Sequence, residues 1–182
     1  EMADLLALDL VDKGLVTDQL ILTVGYDIDN LKDKNISSGY HGEVTVDRYG
    51  RSVPKHAHGT ANLEVYTSST KRIVSAVLEL FDRITNKNLL VRRIYLTANR
   101  VVDENAAPDK RAMEQLDLFT DYSALQKQQA EEKAALEREK RMQKTMLELK
   151  RRFGKNAILK GMNLEEGATT ISRNGQIGGN KA

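Results

Sequence analysis

Residues 121–152 are almost wholly helix-forming, and this run limits what the rest of the chain can be. As one continuous helix it would span roughly 45 Å. Most of it presents no apolar face; only its end does, through Met142, Met146, Leu149 and Phe153. The cations Lys150, Arg151 and Arg152 suit the negative end of a helix dipole, and Gly154 can close the helix. Such a rod is an appendage. The 182 residues, 40% hydrophobic and 30% charged, leave room for one modest domain in front of it.

That domain shows in the hydrophobic periodicities. Residues 1–13 are rich in Leu, Ala and Asp and end in Lys13-Gly14, a helix with its stop. Residues 18–27 alternate Leu20, Leu22 and Val24 with Ile21 and Thr23, which predicts a strand. Residues 43–55 read as a loop or small hairpin, with Tyr49-Gly50 at its turn and Pro54 blocking a ladder bond. Residues 59–66 form a second strand, with Ala61, Leu63 and Val65 on one face. Residues 70–85 place Ile73, Val77, Leu80, Phe81 and Ile84 at helical spacing, behind the capping hydroxyls of Ser68, Ser69 and Thr70. Residues 89–99 form a third strand, with Ile94, Leu96 and Ala98 inward and Arg93, Tyr95, Thr97 and Asn99 outward. The order predicts an α+β layer with helices on one face of a sheet. Residues 103–114 read as a linker, and the glycine-rich, polar residues 161–182 as a mobile tail.

Several function classes drop out. The chain has no cysteine, so disulfides and thiolate chemistry are excluded. No apolar run approaches the length of a bilayer span, and the acidic start is unlike a signal peptide. The chain opens directly on a helical pattern, which suggests a piece of something longer. His41, His56 and His58 could gather around zinc but lack an obvious fourth ligand. Asp27, Asp29 and Asn30 resemble a calcium loop without its glycine and read as a turn. No serine elbow, phosphate loop, helical HExxH or carboxylate pair for two-metal chemistry is present.

What remains is binding. Gln115-Leu116-Asp117-Leu118-Phe119 is a polar anchor followed by large apolar residues in a polar segment. It reads either as an extended peptide that docks Leu118 and Phe119 in a partner's pocket or as a short strand packed on its own domain. Arg92, Arg93, Tyr95, Thr97, Asn99 and Arg100 share one strand, and Lys71 and Arg72 follow Ser69 and Thr70 at a helix start, where backbone donors and cations suit phosphate oxygens. The loop with Arg48, Arg51, Lys55, His56 and His58 is basic, with Tyr49 among the charges, and could touch a nucleic-acid backbone, Arg51 and Lys55 above all. Each of these also has a plain reading as solvated surface. The net charge of +2 does not decide between the two readings.

The order of elements and the runs EMADLLALDLVDKGLVTDQLILTVGYD, HGTANLEVYTSSTKRIVSAVLELFDRI and LLVRRIYLTANRVVD, then QLDLF and RRFGKNAILKGMNLEEGATTISRNGQIGG, resemble the C-terminal region of Y-family (UmuC-like, ImpB/MucB/SamB) translesion DNA polymerases. The resemblance implies a little-finger domain over 1–102, an antiparallel or mixed sheet backed by two helices whose first strand would precede Glu1. Without that strand a sheet edge would lie unpaired. It implies a linker with the clamp-binding peptide Gln115, Leu116, Asp117, Leu118 and Phe119 over 103–120, a long charged helix over 121–154 and a flexible tail over 155–182. Phosphate contacts follow for Arg92 and Arg93, with Arg100 a weaker match and Thr97 standing where some relatives carry another arginine.

The implied partners are primer–template DNA, a sliding clamp and a regulatory protein on the C-terminal helix, with no membrane. The implied setting is the bacterial cytoplasm and nucleoid, in DNA repair, damage tolerance and the SOS response. The stretch itself would be non-catalytic and hold no cofactor, while the parent would be a magnesium-dependent DNA-directed DNA polymerase. Two other readings stand beside it. One is a helical protein-interaction adaptor without DNA binding, built on 121–153; the other is a zinc enzyme using the three histidines.

Overall fold

A computed structural model of the chain describes residues 1–108, 122–177 and 180–181. Its centre is strand β1 (Leu15–Tyr26), flanked by β4 (Ala57–Thr67) and β5 (Val91–Asn99), both antiparallel to it. The predicted alternation holds: Leu20, Leu22 and Val24 are each no more than 1% exposed and point to one side. Against them pack α1 (Met2–Lys13) and α4 (Thr70–Ile84), which bury Ala7, Leu10, Ile73 and Leu80. Full burial of each such leucine or isoleucine contributes about 1.5–3 kcal/mol. The fold is α+β with helices on one face of the sheet, and every strand pairing in it is antiparallel.

Local chemistry sets the boundaries. Gly14 ends α1 with φ 67°, a left-handed cap that places its N–H on the Val11 carbonyl. Ser69 opens α4, its hydroxyl accepting the Arg72 N–H at 3.3 Å. Gly59 lies where α4 crosses β4 closely; a Cβ there would stand 2.9 Å from the ends of Leu80 and Ile84. Arg100, at φ 50°, breaks the strand, after which β6 (Val102–Asp103) pairs with Leu15 and Val16.

Between β1 and β4 run two single-turn helices, α2 (Asp29–Lys32) and α3 (Lys34–Ser37), and a hairpin of β2 (Val44–Val46) and β3 (Ser52–Pro54). The turn at Tyr49-Gly50 forms as predicted. Asp47 organises it, its carboxylate accepting the N–H groups of Tyr49 at 2.8 Å and Arg51 at 3.0 Å. Pro54 closes β3 opposite Val44, where its missing N–H is tolerated.

The long helix α5 (Tyr122–Phe153) is continuous and lies against α1 and the start of α4. Its seating follows the predicted apolar end only in part, with Met146 and Leu149 half-buried. Met142 and Phe153 are 58% and 68% exposed, whereas Gln143 is buried. Past α5 the chain departs further from its composition. The polar stretch expected to be loose turns back on α1: Lys160 pairs with Asp4, and buried Asn163 donates to Glu1 Oε1 at 3.0 Å and Thr170 Oγ1 at 3.2 Å. A turn at Gly161–Leu164 and a short helix α6 (Thr170–Asn174) carry these groups. The segment has little apolar surface to bury, but its amides and hydroxyls find buried partners.

Candidate nucleic-acid interface

The helices cover one face of the sheet, and the other is polar. Cross-strand neighbours build it in rows, because residues two apart on a strand share a face. Asn62, Gln19 and Asn99 lie side by side, with Gln19 donating to Asn62 Oδ1 at 2.8 Å and accepting from Asn99 at 2.6 Å. Thr60, Ile21 and Thr97 follow, then His58, Thr23 and Tyr95, with Thr23 Oγ1 2.9 Å from His58 Nδ1. Arg93 stands opposite Gly25.

At this last end the β2–β3 hairpin leans towards the sheet and encloses a cleft of about 400 Å³. Arg48, Tyr49, Arg51 and His56 enter it from the hairpin side, and Arg92, Arg93 and Tyr95 from β5. The basic loop and the basic strand, two separate features in the sequence, are thus the two walls of one basic, aromatic site. Each guanidinium is held. Arg51 forms a fork on Asp47 Oδ2 at 2.9 and 2.7 Å, which together with the turn N–H groups holds the Asp47 carboxyl down at about 2 and raises Arg51. Arg92 Nη1 donates to Asp27 Oδ2 at 2.9 Å; the Asp29 N–H and then Arg92 lower the Asp27 carboxyl below its ordinary range. Arg93 donates to the Tyr95 hydroxyl at 2.8 Å, and Arg48 donates to that of Tyr49.

Asn30 fixes the chain just before Arg92. Its fully buried side chain donates to the carbonyls of Asp27 and Leu90, each at 2.9 Å, and accepts the Leu90 N–H at 2.7 Å. The predicted turn at Asp27–Asn30 is therefore the pin between β1 and β5.

The remaining predicted positions lie elsewhere. Arg100 is at the other end of the sheet, seven residues along β5 from Arg93 and so about 20 Å or more away, with Nη1 3.8 Å from buried Asp18. Ser69, Thr70, Lys71 and Arg72 open α4 at that same far end, and α5 engages them. Glu139 accepts the Ser69 hydroxyl at 2.7 Å and the Lys71 N–H at 3.0 Å. Gln143 donates to Thr70 Oγ1 at 2.8 Å, and Glu132 pairs with Arg72. A carboxylate of the same chain thus occupies the helix start where the sequence suggested phosphate. Lys55 pairs with Glu43 at the base of the hairpin, 2.7 Å apart. Gln115, Leu116, Asp117, Leu118 and Phe119 lie outside the described residues. Among the described residues no three His, Asp or Glu side chains are grouped to hold a metal ion, and no helix is long and apolar enough to cross a membrane.

A family model for the impB/mucB/samB family C-terminal domain matches residues 1–118. The chain belongs to this family. It is a Y-family polymerase C-terminal region, and the match takes in the whole sheet, both packing helices and the hairpin that walls the cleft. No curated protein and no solved structure matches the chain. Sequence reasoning missed Asn30 as a structural pin, Asp27 as the partner of Arg92, and the cover of α4 by Glu132, Glu139 and Gln143. The last three were marked only by their spacing of seven and four along α5, which sets them on one helical face.

Proposed function

We propose that this chain is the DNA-binding and clamp-binding part of a translesion DNA polymerase acting in DNA repair and damage tolerance. The observation that supports it is the joining of Arg48, Arg51, Arg92 and Arg93 in one cleft, on the sheet face left free by α1 and α4. Guanidiniums on a polar sheet suit the phosphate backbone, which they would position without reading sequence. The chemistry of the parent, magnesium-dependent nucleotidyl transfer, would lie in other parts of the polymerase; the part described here would hold the duplex. Gln115 to Phe119 would dock Leu118 and Phe119 in a hydrophobic pocket of the sliding clamp, and the working location would be the bacterial cytoplasm and nucleoid.

Anisotropy titration with labelled primer–template DNA tests the first half. Salt-sensitive binding that weakens on joint Arg92→Ala and Arg93→Ala substitution is the expected result; binding indifferent to both salt and substitution overturns it. The second half is tested by affinity for the sliding clamp before and after Leu118→Ala with Phe119→Ala, where equal affinities overturn it.

A second reading, a helical adaptor, is favoured by the exposure of Met142 and Phe153 on α5. It requires that DNA binding be absent, so the same titration separates the two.

A further inference from the structure

The cleft repeats one device on both walls. On the hairpin, Arg48 donates to the hydroxyl of Tyr49 and lies 4.6 Å from the centre of its ring, with Arg51 5.0 Å from the same centre. On β5, Arg93 donates to the hydroxyl of Tyr95 and lies 5.7 Å from that ring. Both rings are large apolar surfaces left in water, Tyr49 64% and Tyr95 53% exposed. Neither Arg48 nor Arg93 forms an ion pair among the described residues, whereas Arg51 and Arg92 are held by Asp47 and Asp27. Each of the two tyrosine-bound guanidiniums spends one of its five N–H donors on a hydroxyl and keeps the others for an outside acceptor.

A site that serves only the backbone of a duplex uses cations and hydroxyls but leaves ring faces idle, since paired bases turn their faces to one another. An unpaired base offers its face, and aromatic rings beside arginines are the usual platform for it. The enclosed volume of about 400 Å³ falls in the range of small-ligand sites. We infer that this cleft takes an unpaired nucleotide of a DNA strand, its base against Tyr49 or Tyr95 and its phosphodiester on Arg48 and Arg93. The inference rests on the proposed DNA binding and narrows it: the sheet face holds the duplex, and the cleft under the hairpin holds the single strand that leaves it. The hairpin is tied at its turn by Asp47 and at its base by Lys55 and Glu43, so Tyr49 is presented by a fixed wall.

The test uses the 182-residue chain with two labelled probes, a blunt duplex and the same duplex with a thymidine overhang. The wild-type protein is expected to bind the overhang probe more tightly. Tyr49→Ala and Tyr95→Ala are each expected to lose about tenfold on the overhang probe and less than about twofold on the blunt one, while Tyr49→Phe keeps the ring and the preference. Equal wild-type affinities for the two probes, or equal losses on both, overturn the inference. If those equal affinities still fall with Arg92→Ala and Arg93→Ala, the proposed DNA binding stands without it. If neither probe shows salt-sensitive binding, the proposed function itself fails. Unchanged melting of each tyrosine variant shows that its loss comes from the cleft and not from unfolding.

Discussion

Glu139 of the long helix accepts the backbone N–H of Lys71 at 3.0 Å, a donor in the first turn of a helix almost seventy residues earlier in the chain. Its other oxygen accepts the Ser69 hydroxyl, so one carboxylate neutralises the positive end of α4 and ties α5 to it. Glu139→Ala is expected to lower stability by about 1 kcal/mol, the usual worth of a helix cap. Urea denaturation followed by circular dichroism measures it. An unchanged midpoint would mean that water replaces the carboxylate at no cost and that the clasp is incidental.

The four guanidiniums of the cleft are not equivalent. Arg92 is already bound to Asp27, so its loss removes one positive charge and exposes one negative one. Arg93 is bound to a neutral tyrosine. If both face phosphates, Arg93→Ala reduces the slope of log affinity against log salt by about 1, as one released counterion requires. Arg92→Ala reduces affinity more strongly, because the uncovered Asp27 carboxylate then repels the strand, and Arg92→Ala with Asp27→Asn recovers part of the loss. Titrations at several salt concentrations decide this. A double variant no better than Arg92→Ala alone removes Asp27 from the account.

The parts of this fold that were legible in the sequence are those that bury carbon. Leu20, Leu22 and Val24 alternate because one sheet face is covered, and Ile73 and Leu80 keep helical spacing because α4 covers it. Ser69 and Gly14 mark ends through capping chemistry, which is local. The cleft was legible only in halves. The strand alternation placed Arg93 on the outer face, but Arg48 lies in a loop without periodicity, and what brings the two together is the lean of the hairpin over the sheet. The return of residues 160–174 to α1 was hidden for a related reason. Lys160, Asn163 and Thr170 would have the same composition in water as against Asp4 and Glu1, and only the partners distinguish the two states. Apolar content misled in the opposite direction on α5, where Met142 stays in water and its neighbour Gln143 is buried by bonding to Ser68 and Thr70.

Asn30 carries a heavier structural load than its exposed-looking sequence context suggests. Its amide answers the Leu90 N–H and carbonyl and the Asp27 carbonyl, all close to the ends of β1 and β5. Asn30→Ala leaves the Leu90 N–H without its partner in a part-buried place, while backbone donors still reach the Leu90 and Asp27 carbonyls, at an expected cost of about 1–2 kcal/mol. Because Asp27 and Arg92 stand on the pinned segment, the same variant should also loosen the cleft. Thermal melting reads the first effect and DNA affinity the second; a loss of stability with unchanged affinity would show that Arg92 is held by its ion pair alone.

The seat of the returning segment is sensitive to acid. The Glu1 carboxylate accepts from Asn163 and from the N–H groups of Thr169 at 3.1 Å and Thr170 at 3.3 Å; the Asn163 amide and these donors lower its pKa from 4.5 to about 2. A carboxyl whose pKa is lower when folded adds stability that is complete above its unfolded value and fades as protons bind the folded form. The seating of residues 160–174 is therefore complete above about pH 4.5 and is lost progressively as the pH falls towards 2. Amide hydrogen exchange at Thr169 and Thr170 is expected to show protection that falls across this window in the wild type. In Glu1→Gln, which cannot ionise, protection is expected to be low throughout and flat with pH. Equal protection in both proteins at pH 6 would show that Lys160 and Asp4 suffice to hold the segment, and that the carboxylate at its edge only accompanies them.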